Sequence, residues 1–189
     1  MREINVSEVT STVAKLCMDS CYYLPEAVKA KIRAAAETEE SPLGKEILNT
    51  LIENFELAQK KAVPLCQDTG LTVVFLDIGQ EVHFVGGDLY EAIHAGVARG
   101  YVDGYLRKSS VGDPVFDRNN SGDNTPAIIH TKIVPGDKVK MVVCPKGCGS
   151  ENMGALKMLK PADGVEGIKK FVVDTVLSLI HISEPTRLS

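Results

Sequence analysis

The stretch "VPLCQDTGLTVVFLDIG", residues 63–79, joins two unlike halves of the chain. Cys66, Gln67, Asp68 and Thr69 set a thiol, an amide, a carboxylate and a hydroxyl side by side between Pro64 and Gly70. Such a run is poor core material, because each polar group would need a buried partner. It suits a short loop that feeds a strand and aims several polar groups at one point. Directly after it, "LTVVFLDIG" is apolar and rich in β-branched and aromatic residues, which reads as a strand. Helical patterning lies upstream and strand patterning downstream. The expected fold class is therefore α+β, with residues 1–61 helical and residues 62–176 forming a mixed sheet with flanking helices.

Upstream, Val6, Val9, Val13, Leu16 and Cys17 recur at helical spacing and predict a helix from residue 5 to about 21. Pro25 suits the first turn of a second helix reaching Glu39, in a stretch rich in Ala, Lys and Glu. Ser41-Pro42 opens a third, where Ile47, Leu48, Leu51, Ile52 and Phe55 form an apolar stripe ahead of Lys61. Downstream, "EVHFVGG" reads as a strand parted from the first by Gly79-Gln80, and Asp88 as the cap of a helix running through Arg99 to Leu106. "AIIHTKIV" and "KVKMVVC" read as two strands joined by the turn Pro135-Gly136-Asp137. A helix is expected from Asn152 towards Leu159, and a last one over 163–176. His83 and His94 fall on a strand face and a helix face, where a structural role is the commoner one.

Composition narrows the function classes. At 189 residues the chain suits one domain or one domain plus an appendage, with ordinary globular values of 44% hydrophobic and 24% charged residues. A net charge of -4 argues against a general nucleic-acid binder, which needs clustered Lys and Arg. No apolar run approaches the roughly 20 residues that span a bilayer. The opening "MREINVSEVT" has no apolar h-region, so a cytoplasmic protein is expected. Five cysteines, an odd number at uneven spacing, fit free or metal-bound thiols better than a disulfide framework. Cys17 with Cys21, and Cys144 with Cys148, lack the C-x2-C spacing or a His partner, so structural zinc is not expected. Cys17 and Cys21 are expected on the inner face of the first helix.

Three further strings carry chemistry: "YLRKS" at 105–109, "NNSGDNTPAIIH" at 119–130 and "PKGCGSEN" at 145–152. In the last, Gly147 and Gly149 let backbone N–H groups turn towards an anion, while Lys146 adds charge and Ser150 a donor. It lacks the "GK[ST]" ending of a nucleotide-binding loop. Asp123, Asn124 and Thr125 in the second string are turn formers that either build Asx turns or support a site.

Taken in order, "CQDTG", "LRKS", "NNSGDNTPAIIH" and "PKGCGSEN" resemble the alpha subunit, or N-terminal portion, of the iron-dependent class I fumarate hydratases and their relative L(+)-tartrate dehydratase, although "NNSGDN" is not the commonest spelling there. "SPLGKEIL", "VHFVGGDL" and "LKMLKPADGVEGIK" extend the resemblance from about residue 1 to Val176. It implies a hydro-lyase interconverting fumarate and L-malate, with L(+)-tartrate dehydration as the alternative. It implies a [4Fe-4S] cluster with Cys66 as one ligand, a second ligand beyond Val176 and the third in a C-terminal portion or beta subunit. Gln67, Asp68, Arg107, Lys146, Gly149 and Ser150 then bind a small dicarboxylate substrate. No residue of this chain is assigned proton transfer, which is expected in the beta subunit of a hetero-oligomer.

Each role has a plainer rival: a buried structural thiol for Cys66, a turn cap for Asp68, a solvated helix-end cation for Arg107. For Arg107 the chemistry favours the first reading, since a guanidinium offers a planar bidentate fork to a carboxylate. "LSLIHISEPTRLS" departs abruptly from the family pattern and resembles translated adapter sequence, so residues 177–189 are expected to be a non-native or disordered tail, with no role for His181. From that follows a different expectation for the chain as written: a non-catalytic fragment that serves as a subunit-interaction module. A thiol redox sensor built on Cys144 and Cys148 is a further alternative.

Overall fold

A computed structural model describes residues 1–147 and 154–182. Residues Met1–Lys146 form one compact unit, and a second begins at Gly147. In the first unit the order is β1 (Arg2–Asn5), α1 (Val6–Tyr22), α2 (Glu26–Thr38), α3 (Pro42–Lys61), β2 (Leu71–Gly79), β3 (Val82–Val85), α4 (Leu89–Asp103), β4 (Ile128–Val134) and β5 (Val139–Lys146). The α+β class is as expected, with β1 as an unanticipated strand ahead of the first helix.

The helix starts follow from their caps. Asn5 accepts a hydrogen bond from the Ser7 N–H at 2.9 Å, Ser41 from the Gly44 N–H at 3.3 Å, and Asp88 from the Glu91 N–H at 2.9 Å. Each side chain satisfies an N–H that has no intrahelical partner. Pro42 occupies the first turn of α3, where a missing N–H costs nothing.

β2 is the middle strand of a mixed sheet in the order β4-β2-β5, parallel to β4 and antiparallel to β5. The turn at Pro135–Asp137 therefore does not close a hairpin. It carries the chain across the end of β2, where Gly79 N–H donates to Lys138 O at 2.9 Å. A Cβ on Gly79 would stand 2.3 Å from Gly136 O, so only glycine lets the crossing pass that close. β3 does not pair with β2 either. It runs parallel to β1, with Arg2 opposite Val82 and Asn5 opposite Val85.

The core lies between α1, α4 and one face of the sheet, and is built from Val13, Cys17, Val74, Leu76, Ile93, Val97, Tyr101 and Leu106. Close approach of the two helices rests on Gly96 and Gly100. A Cβ there would meet Thr10 O at 2.7 Å and Ala14 O at 2.8 Å respectively. The N-terminal helices are thus not a bundle of their own: α1 packs chiefly on α4, while α2 packs on α3. Of the α3 stripe only Phe55 is fully buried, and Ile47 and Leu51 are exposed, because α2 covers one side of the helix alone.

In the second unit, residues 154–160 are not helical, contrary to the helix expected from Asn152 towards Leu159. A 3-10 turn, Pro161–Asp163, is closed by the Asp163 carboxylate accepting from the Lys160 N–H at 2.8 Å. α5 (Gly164–Ile182) follows and continues past Val176, the boundary read from sequence. Residues 183–189 of the expected tail lie outside the described residues. No helix among the described residues is long and apolar enough to cross a membrane.

Candidate active site

The loop from Ala62 to Gly70 leaves α3 and enters β2, and it is tied down at both ends. At the near end, Leu65 N–H donates to Cys21 O at 2.9 Å, and Asn54 Nδ2 donates to Leu65 O at 2.9 Å. At the far end, the Tyr101 hydroxyl donates to Thr69 O at 2.6 Å, with a longer 3.3 Å contact to Gly70 O. Asn124 Nδ2 donates to Gly70 O at 3.0 Å, and Thr69 Oγ1 to Arg107 O at 3.0 Å. Between these anchors Cys66 stands exposed. Its thiol donates to Gln67 Oε1 at 3.3 Å and its sulfur accepts from the Asp68 N–H at 3.3 Å.

Arg107 reaches the same place from the other side of the fold. The chain leaves α4 through Gly104 and Tyr105, the latter at a left-handed φ of 52°, and buries Leu106 to 1% exposure. That anchor turns Arg107 outward. Pro64, Cys66, Gln67, Thr69, Tyr105 and Arg107 together line an open cleft of ≈390 Å³.

Three of the site residues expected from sequence, Cys66, Gln67 and Arg107, therefore share one cleft. Asp68 is half-buried and is not among the residues lining it. Lys146 closes β5 directly opposite Leu71, so the antiparallel register sets it beside the exit of the Cys66 loop. Gly149 and Ser150, with Cys148, lie outside the described residues. Cys17 and Cys21 are buried on the inner face of α1 as expected, and burial pushes their thiols up to about 12 and about 11. Among the described thiols, Cys66 alone is exposed on a polar cleft, where a soft metal could reach it.

Sequence reasoning missed the role of Tyr101, whose ring reads as ordinary core. Burial is the main cause that pushes its phenol up. The hydroxyl thus stays a donor to the loop at all ordinary pH values. In "NNSGDNTP" the turn-building reading holds for Asp123. Asp123 accepts from Thr125 Oγ1 at 2.7 Å and from Thr125 N–H at 3.0 Å, and the first of these bonds leads in holding its carboxyl below the usual range. Asn124 is 0% exposed and bonds to Gly70 O and the Ser109 N–H, in the two segments that flank the cleft. His83 is exposed on β3, and His94 on α4 accepts from Ala127 N–H at 3.4 Å, as structural histidines do.

The cleft thus gathers a thiol, an amide and a guanidinium, groups that can bind an anion or a soft metal. The family model described as fumarate hydratase (Fumerase) matches residues 10–183. A Methanocaldococcus jannaschii protein named "Putative L(+)-tartrate dehydratase subunit alpha" is 40% identical over 174 residues, covering 89% of this chain and 61% of its own length. The L(+)-tartrate dehydratase subunit alpha of Escherichia coli K12 is 30% identical over 178 residues, covering 92% of this chain and 58% of its own. The Shigella sonnei protein of the same name matches with the same 30% identity and coverage. The chain belongs to the fumarate hydratase (Fumerase) family, and it spans about three-fifths of the length of these curated relatives.

Proposed function

We propose that this chain supplies the alpha part of a hydro-lyase that adds water reversibly to fumarate to give L-malate. The observation that supports it most is the cleft, which unites the exposed Cys66 with Gln67 and Arg107. In this reading Cys66 is one thiolate ligand of a [4Fe-4S] cluster, and the chemistry of the residue fits: it is a solvent-facing thiol beside polar side chains. When bound, such a cluster supplies Lewis acidity at an iron not held by cysteine, favouring departure of a hydroxyl as water. Arg107 clamps a substrate carboxylate with its planar fork, and the Gln67 amide orients the substrate next to the thiolate ligand. Asp68 and Lys146 stand close by on the same loop and on the facing end of β5, with Gly149 and Ser150 following Lys146 in the chain. Proton transfer falls to a beta subunit, so the working enzyme is a cytoplasmic hetero-oligomer with a dicarboxylate as substrate.

A second substrate, L(+)-tartrate, is favoured by the names of the relatives. L-malate and L(+)-tartrate both present two carboxylates and differ by one hydroxyl. The two readings separate by assay of the complete alpha chain with its beta subunit. The fumarate reading requires a higher kcat/KM for hydration of fumarate than for dehydration of L(+)-tartrate. The reverse order would assign tartrate, and turnover of neither would remove the hydro-lyase reading.

A further inference from the structure

We propose that Asn124 is the positioning residue that sets the Cys66–Gln67 loop against Arg107, an inference that rests on the cleft being the substrate site. The two halves of that cleft come from distant parts of the chain. Asn124 joins them from behind. Its Nδ2 donates to Gly70 O at 3.0 Å, at the exit of the Cys66 loop. Its Oδ1 accepts from the Ser109 N–H at 2.6 Å and the Ser110 N–H at 3.1 Å, on the segment that follows Arg107. The Ser110 hydroxyl adds a bond to Asn124 O at 3.2 Å. One amide thus satisfies an acceptor on one half and donors on the other, with its side chain fully buried.

The residue type follows from that geometry. Asp in its place would present no N–H to Gly70 O, and Gln would carry its amide further from the backbone. Asn124 also holds a left-handed φ of 66°, a conformation that Asn adopts more readily than most residues. Backbone and side chain both call for asparagine. The Thr69 hydroxyl on Arg107 O at 3.0 Å is a second strap between the same halves, so loss of Asn124 loosens the cleft without opening it.

The test measures how close the two halves stay. An Arg107→Cys substitution places a thiol across the cleft from Cys66, and a short bis-maleimide then bridges the two. Peptide-resolved mass spectrometry scores that bridge alone. Asn124→Gly keeps the left-handed backbone and removes the amide, and the bridging rate is expected to fall about tenfold, the effect of losing more than one ordinary hydrogen bond. Asn124→Asp keeps the acceptor for Ser109 and Ser110 and is expected to show a smaller fall; it carries the test if the glycine variant does not fold. Val97→Ala, in the core away from the cleft, is the control for general loosening and should bridge at the parent rate. Parent-like bridging in both Asn124 variants, or an equal fall in Val97→Ala, would overturn the inference. In a parallel arm, succinate should slow alkylation of Cys66 in the unmodified chain. If it does not while the bridging pattern holds, the dicarboxylate reading falls and the positioning role of Asn124 stands.

Discussion

Tyr101→Phe isolates the hydroxyl that holds the exit of the Cys66 loop. Phenylalanine fills the same buried space, so no cavity term enters. What is lost is the 2.6 Å bond to Thr69 O and the weaker contact to Gly70 O. Gly70 O keeps its donor from Asn124 Nδ2, whereas Thr69 O loses its strong donor and faces an apolar ring edge. One net hydrogen bond contributes about 1 kcal/mol, and leaving a buried acceptor unmatched adds about 1 kcal/mol more. The expected loss is therefore about 2 kcal/mol. With a urea m-value of about 2 kcal/mol per M, the unfolding midpoint falls by about 1 M. Thr10→Val is the control, since the Thr10 hydroxyl donates to Ala92 O at 2.9 Å near the other end of α1 and α4. Both variants should lose similar stability, but only Tyr101→Phe should weaken succinate protection of Cys66 against alkylation. A midpoint shift below about 0.2 M for Tyr101→Phe would refute the assigned bond. Equal effects of both variants on protection would refute its link to the site.

Three further outcomes follow from named contacts. Gly100→Ala sets a Cβ 2.8 Å from Ala14 O and 2.9 Å from Cys17 Cβ, and the resulting overpacking should cost about 2 kcal/mol despite alanine's better helix propensity; an unchanged or raised urea midpoint would mean that α1 and α4 do not meet so closely. Arg107→Lys keeps the charge but loses the planar fork, so KM for the dicarboxylate should rise about tenfold in the complete enzyme with a smaller change in kcat, as steady-state kinetics would show. The folded-state thiols of Cys17 and Cys21 are raised to about 12 and about 11 against 9.0 for an ordinary thiol, so above pH 9 the unfolded chain releases protons that the folded chain retains. Their contribution is whole below pH 9 and is lost as the pH climbs towards 11 to 12. Cys17→Ala should flatten that alkaline decline in urea midpoint, and an unchanged slope would place Cys17 in contact with solvent.

Much of the secondary structure was legible because it is written in local chemistry. Ser41-Pro42 and Asp88 mark helix starts by capping, and Val6, Val9, Val13 and Cys17 mark a buried face by period. Pairing was not legible. "REIN" has no apolar alternation, and becomes a strand only because β3 lies parallel to it. The Pro135-Gly136-Asp137 turn looked local, yet its two strands flank β2, a matter of which edge each strand takes. Residues 154–160 are not helical, since the helix propensity of Ala155, Leu156 and Lys157 does not outweigh Gly154 and the nearby Pro161.

The site divides in the same way. Cys66, Gln67 and Arg107 could be named because their side-chain chemistry makes sense at a surface cleft and because their motifs resemble a family. Tyr101 and the full role of Asn124 could not, since a core tyrosine and a turn asparagine look ordinary until their partners, Thr69 O, Gly70 O and the Ser109–Ser110 amides, are known. Lys146 sits between these cases: its charge was visible, while its place opposite Leu71 depends on sheet register.

Anaerobic iron–sulfide reconstitution of the complete alpha chain with its beta subunit, with and without Cys66→Ser, bears most directly on the central claim. The proposed function predicts iron and sulfide bound in the unmodified enzyme together with fumarate hydration, and loss of both in Cys66→Ser. A Cys66→Ser enzyme that keeps its iron and its turnover would contradict it.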